Sequence, residues 1–189
     1  MAEPHRNDDD LITELVKDHR EVEELFAAYD TSSSPDKKGD VAREIITELV
    51  RHSVAEEMWL YPVAKRALPD GEQITEHEIA EHAEVERLLK EVERLDPAED
   101  AAFEDNMQIV MRDIRHHVED EERDLFPRLR GALDAEELAS LGEKARLAKR
   151  TAPTHPHPSA PDHPPANLVL GPLTGIVDRA RDRFSRARS

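Results

Sequence analysis

One pair of segments is written twice in this chain, and that duplication limits the fold more than any other feature. DHREVEELF at 18–26 returns as EHAEVERLL at 81–89, and RHSVAEEMWLYP at 51–62 returns as HHVEDEERDLFP at 116–127. The alignment places His19 on His82, His52 on His117, Glu56 on Glu121 and Pro62 on Pro127. Each copy therefore carries a His on its first segment, then H-x-x-x-E, then an aromatic–Pro pair on its second. Apolar residues recur at the 3.6-residue period throughout, and no stretch shows the strict alternation of a strand.

Four long helices follow from that pattern. The first begins after the Asp run near residue 8, as an acidic helix start should, and turns Ile12, Leu15, Val16, Val22, Phe26 and Tyr29 inward. TSSSPDKKG at 31–39 reads as a loop. The second spans about 40–68, with Pro62 expected to kink it or open a fresh turn. The third spans about 72–95 on Ile74, Val85, Leu88, Leu89, Val92 and Leu95, and the fourth about 98–130 on Phe103, Met107, Val110, Ile114, Val118, Leu125 and Leu129. Short connections make neighbours antiparallel, so the expected fold is all-α: an up-down-up-down four-helix bundle over 1–133. A short fifth helix at 134–150, a Pro/His-rich linker at 151–167 and a basic amphipathic helix at 168–189 complete the expected organisation.

Within this pattern some inward positions are polar. The stripe Val41, Ile45, Leu49 steps next to His52 and Glu56 before it resumes at Trp59, Leu60 and Val63. His19 falls between Leu15 or Val16 and Val22, His82 leads into Val85, and the stripe of the fourth helix runs through His117 and Glu121 before Leu125. A buried unpaired carboxylate costs several kcal/mol, on the order of 3–5. Two near one another are hard to tolerate, and a polyvalent cation between them resolves this. An i, i+4 pair sets both side chains on one face, so two helices can deliver two His and two carboxylates to one interior volume. One buried His alone reads as a hydrogen-bonded core residue, and one H-x-x-x-E alone as a solvated salt bridge. Two such pairs, placed by an internal repeat with a further matched His, read as a metal site.

The bulk composition narrows the chemistry. There is no Cys among the 189 residues, so disulfides, thiolate sites and Cys nucleophiles are excluded. A net charge of −17 argues against nucleic acid. No run approaches the apolar length of a membrane span, and the start MAEPHRNDDD does not read as a signal peptide, so a cytoplasmic protein is expected.

These residues resemble the hemerythrin-like proteins with an HHE cation-binding domain, over roughly residues 8–130. The motif that carries the resemblance is a His, then H-x-x-x-E, then a His pair, then H-x-x-x-E on successive helices. It implies two non-haem iron ions in the bundle core, with Zn or Mn as other possible occupants. The implied ligands are His19, His52, Glu56, His77, His82, His117 and Glu121, with Glu56 and Glu121 bridging. His77 and His82 are five residues apart, about 140° round an ideal helix. Either a π-bulge brings both inward or His77 lies at the surface. His116 reads as a surface residue, Tyr61 as core with a hydroxyl able to approach a metal, and Glu57 and Glu122 as solvated. His155, His157 and His163 could bind metal only loosely.

The resemblance implies a protein that binds or senses O2, or NO, at a carboxylate-bridged diiron centre. A diiron enzyme of peroxide or NO detoxification, or an iron-handling stress protein, are the alternatives, and the sequence leaves open whether the centre turns over. From Leu168 onward five Arg and two Asp accompany Leu173, Ile176, Val177, Ala180 and Phe184. Docking of this tail on the acidic bundle, or on an unknown protein, is expected ahead of membrane contact.

Overall fold

The computed structural model describes residues 9–156, and every regular element among them is helical. The elements are α1 (Leu11–Thr31), α2 (Pro35–Ala55), α3 (Tyr61–Ala67), α4 (Gly71–Val92), α5 (Ala101–Asp120), α6 (Phe126–Ala132) and α7 (Ala135–Thr151). Single π turns at Glu56–Leu60 and Glu121–Leu125 join α2 to α3 and α5 to α6. The bundle therefore has four rods: α1, α2–α3, α4 and α5–α6. Arg130 reaches Asp10 and Arg115 reaches Glu23, so α1 runs antiparallel to α5–α6 and closes the bundle. The proposed C-terminal amphipathic helix and the linker beyond residue 156 lie outside the described residues.

Local chemistry explains the boundaries. Asp10 caps α1, accepting a hydrogen bond from the Thr13 N–H at 2.8 Å, and Asp134 does the same for α7 from Glu137. The expected loop at 31–39 is shorter than its composition suggests, because Pro35 opens α2. A proline in the first turn gives up only an N–H that has no partner there, so Pro35 and the four residues after it join the helix.

Pro62 and Pro127 each stand in the first turn of a fresh α-helical segment, α3 and α6, as expected of Pro62. Each follows a π turn closed by the aromatic residue before it: Tyr61 N–H donates to Glu56 O, and Phe126 N–H to Glu121 O. The extra residue in the turn accommodates a proline that cannot donate and would crowd the carbonyl four residues back. The π turns begin at the two repeated glutamates themselves.

Apolar side chains form two separate plugs. One gathers Val22, Phe26, Ile45, Leu49, Leu88, Met107 and Ile114 at one end of the bundle. The other gathers Leu11, Leu15, Leu60, Val63, Leu125 and Leu129 at the opposite end, where Leu138, Leu141 and Ala145 of α7 cover it. Between them lies a buried polar layer of His19, His52, Glu56, Glu78, His82, His117 and Glu121.

Candidate metal centre

The imidazoles and carboxylates of this layer converge into three overlapping clusters. His19, His52, Glu56 and Glu121 form the first, Glu56, His82 and His117 the second, and Glu78, His117 and Glu121 the third. Glu56 spans the first two. Its Oε1 lies 3.0 Å from His52 Nε2, and its Oε2 lies 3.3 Å from His82 Nε2. Glu121 Oε2 stands 3.4 Å from His19 Nε2 and 3.7 Å from His117 Nε2, so it too faces the first two clusters. His82 Nε2 and His117 Nε2 approach to 3.4 Å. The two glutamates have no measurable exposure.

Each imidazole also meets a carboxylate on its outer, Nδ1 side. His19 Nδ1–H donates to Glu122 at 2.8 Å, and His52 Nδ1–H to Asp18 at 3.3 Å. His117 Nδ1–H donates to Glu81 at 3.2 Å, with Glu78 at 3.0 Å, and His82 Nδ1 stands 3.6 Å from Glu57. The three hydrogen bonds fix ring orientation and tautomer at His19, His52 and His117, leaving Nε2 as the inward donor atom, which is how metal-binding histidines are normally supported. The outer carboxylates obey the repeat as well. Asp18 aligns with Glu81 and each serves the His of the following rod in its own copy, whereas Glu57 and Glu122 each serve a His of the other copy.

Sequence reasoning assigned Glu57 and Glu122 to solvent, and the structure corrects this: their side chains are only 23% and 25% exposed and turn toward His82 and His19. The signal was present in the repeated Glu-Glu doublets. His77 is the second correction. Its side chain is 68% exposed and pairs with Glu81 at 3.3 Å, outside the polar layer. No π turn occurs in α4, so a residue five before His82 stays on another face. The inward partner of His82 on α4 is Glu78, buried and four residues away. His116 is 70% exposed and pairs with Asp120, as expected of a surface residue.

The electrostatics reveal a pocket short of positive charge. Burial works against ionised Glu56, but His52 and His82 outweigh it and hold the carboxyl well below its ordinary 4.5. Burial and the charge of Glu56 push Glu121 above its ordinary value. Burial would lower His52, yet Glu56 and Asp18 raise it from 6.5 to about 10. His82 and His117 are raised too, burial again being outweighed, chiefly by Glu56 and Glu57 for His82 and by Glu121 and Glu78 for His117. Protons on imidazole thus stand in for a cation.

Several lone pairs remain unused: His19 Nε2, Glu56 Oε1 and both Glu121 carboxylate oxygens are buried without a hydrogen bond. Buried polar atoms are almost always partnered, so their convergence fits a metal ion. Imidazole with carboxylate and no thiolate suits iron, zinc or manganese.

The repeat is broken at the aromatic residue before each proline. Tyr61 aligns with Phe126, and its hydroxyl lies 2.9 Å from His82 Nε2 and 3.5 Å from Glu56. Phe126 instead stacks on His19, ring centroids 5.7 Å apart and planes within 9°. All four imidazoles face a cavity of about 20 Å³, walled otherwise by Val22, Leu49, Ile114, Val118, Asp18 and Ser53. That space suits a molecule about the size of water.

Comparison with known proteins agrees with this geometry. Residues 10–129 match the hemerythrin HHE cation binding domain. The chain is 28% identical over 173 residues to an uncharacterized hemerythrin-like protein of Schizosaccharomyces pombe, covering 91% of this chain and 85% of that one. A DNA nickase of Nostoc is 29% identical over 132 residues, which span 70% of this chain but 37% of the nickase. The crystal structure of a hemerythrin HHE cation binding domain-containing protein from Mycobacterium kansasii superposes with a TM-score of 0.63 at 23% identity, over 75% of this chain and 85% of that one.

Proposed function

The chain belongs to the hemerythrin HHE cation binding domain family, and from that premise we propose that it holds two iron ions and binds a diatomic ligand, O2 or NO, beside them. His19 and His52 would hold one ion and His82 and His117 the other, with Glu56 and Glu121 shared between them. When bound, such a pair supplies an open coordination position and electrons for reversible binding of a small oxidant. The chain's own residues do the rest. The outer carboxylates of Asp18, Glu81 and Glu122 orient His52, His117 and His19, and the two apolar plugs keep bulk water from the layer.

The observation that carries this reading is the cavity of about 20 Å³ against all four imidazoles. Its size admits a diatomic molecule and excludes organic substrates. The experiment is metal analysis of the purified chain, followed by anaerobic addition of O2 or NO to the reduced, iron-loaded protein under visible spectroscopy. Two irons per chain and a reversible spectral change are expected. Absence of iron after expression in iron-rich medium would end the reading.

Peroxide removal at the same centre is a second reading, and the Tyr61 hydroxyl favours it as a proton-bearing group beside His82. Tyr61 does not line the cavity, which is why ligand binding ranks first. Peroxide turnover above that of free iron, lost in Tyr61→Phe, would reverse the order.

A further inference from the structure

The repeat that relates the two halves of the centre fails again at their outer edge, and the failure involves α7. Asp18 and Glu81 occupy equivalent positions, and each accepts a hydrogen bond from the Nδ1–H of the His on the next rod. Glu81 is backed by His77, which is 68% exposed. Asp18 is backed by Lys149 of α7, whose ammonium also donates to Glu14 at 2.7 Å and whose side chain is only 16% exposed. α7 lies beyond the stretch that matches the family.

Lys149 is placed by an ordered set of contacts. A Cβ on Gly142 would meet Asp9 O at 2.5 Å, so the absence of a side chain there lets α7 approach the start of α1 at backbone distance. One turn on, Arg146 donates to Asp9 O at 2.9 Å. A further turn brings Lys149 to Glu14 and Asp18. Ala145 and Ala148 of the same helix are buried. The two helices thus run side by side in the same direction, and the last rung ends on the carboxylate that supports His52.

We propose that Lys149 is a positioning residue for the metal position formed by His19 and His52: it clamps Asp18 so that Asp18 holds the His52 ring in its ligating orientation. This rests on the reading of the polar layer as a metal centre. Among the described residues no lysine or arginine backs Glu81 as Lys149 backs Asp18, and a largely exposed pair such as His77–Glu81 is worth little in water. The accessory helix therefore makes the two metal positions unequal, the first held more slowly exchanging than it would be by the bundle alone.

The test loads the full chain with ferrous iron anaerobically and follows its release to a chromophoric chelator. It compares wild type with Lys149→Met, which keeps the aliphatic stem, and with Lys149→Arg, which keeps the charge. Support of a ligand by an outer partner changes metal affinity by about 10–100-fold. In Lys149→Met one of two release phases should quicken by about tenfold while the other stays within about twofold, and Lys149→Arg should restore the slow phase. Both phases moving together would mean that the lysine merely stabilises the bundle, and neither moving would mean that it does not act on His52; either overturns the proposal. A wild-type chain that takes up no iron would remove the metal-centre reading itself and the clamp with it, and that outcome is visible before any variant is made.

Discussion

At the scale of single residues, the centre is decided by which atom of each side chain turns inward. Glu78 and His77 are neighbours in sequence, yet one is buried beside His117 and the other faces solvent. Replacing Glu78 by Gln removes a carboxylate from the outer side of His117 and should weaken iron binding by about tenfold. Replacing His77 by Ala should change it by less than about twofold. Equilibrium titration of the two variants with ferrous iron decides, and a larger loss at His77 would mean that the α4 register is wrong. His52, Glu56, His82, His117, Glu121 and His19 were all legible in the sequence, because an ionisable residue inside an apolar stripe is conspicuous. Glu78 was not, since the family pattern has a His pair on that helix, whereas an unbroken α-helix sets the inward partner of His82 four residues before it. Asp18, Glu57, Glu81 and Glu122 were hidden for another reason. Their role depends on where a second rod passes, and no single helix carries that information.

At the scale of elements, the π turns are what set Glu56 and Glu121 opposite each other's histidines. Each begins at the ligand and ends at the aromatic–Pro pair, so the proline that reads as a breaker marks the end of a ligand-presenting turn. An alanine at position 62 restores an N–H that can bond to Met58 O, which favours the ordinary helical register and rotates Glu56 away from Tyr61. Pro62→Ala should therefore make the metal-free protein more stable, by at most about 3 kcal/mol, while iron affinity falls by about tenfold. Chemical denaturation and iron titration of the same variant separate the two effects. Unchanged affinity would show that the proline does not maintain the turn. The rods themselves were legible because amphipathic period and capping residues are local. The π turns were not, since a one-residue insertion in the hydrogen-bond ladder leaves the apolar period almost intact.

At the scale of the whole molecule, two apolar plugs carry the fold and the polar layer between them costs stability until it is filled. Each large apolar side chain that is fully buried contributes about 1.5–3 kcal/mol, and both plugs are complete without metal. The metal-free bundle should accordingly remain folded, with its layer held together by protons. The sign follows from His52, raised from 6.5 to about 10. Its contribution is fully present below its unfolded value and disappears as pH rises through the folded one. Thermal melts of metal-free protein should thus show stability falling from neutral pH toward about 10, whereas iron uptake, which displaces those protons, should strengthen over the same range. Metal-free stability that rises with pH there would contradict the proton-held layer. The exchange of supports between the copies has one more consequence. Glu57 and Glu122 each serve a histidine of the opposite copy, so neither half can finish a metal position alone. The halves behave as a dimer whose subunits share one chain, joined only by Leu68, Pro69 and Asp70. A tether that short keeps each half at an effective concentration of about millimolar or more around the other. Assembly of the centre is then a unimolecular event, and its occupancy is set by the supply of metal rather than by the abundance of the protein.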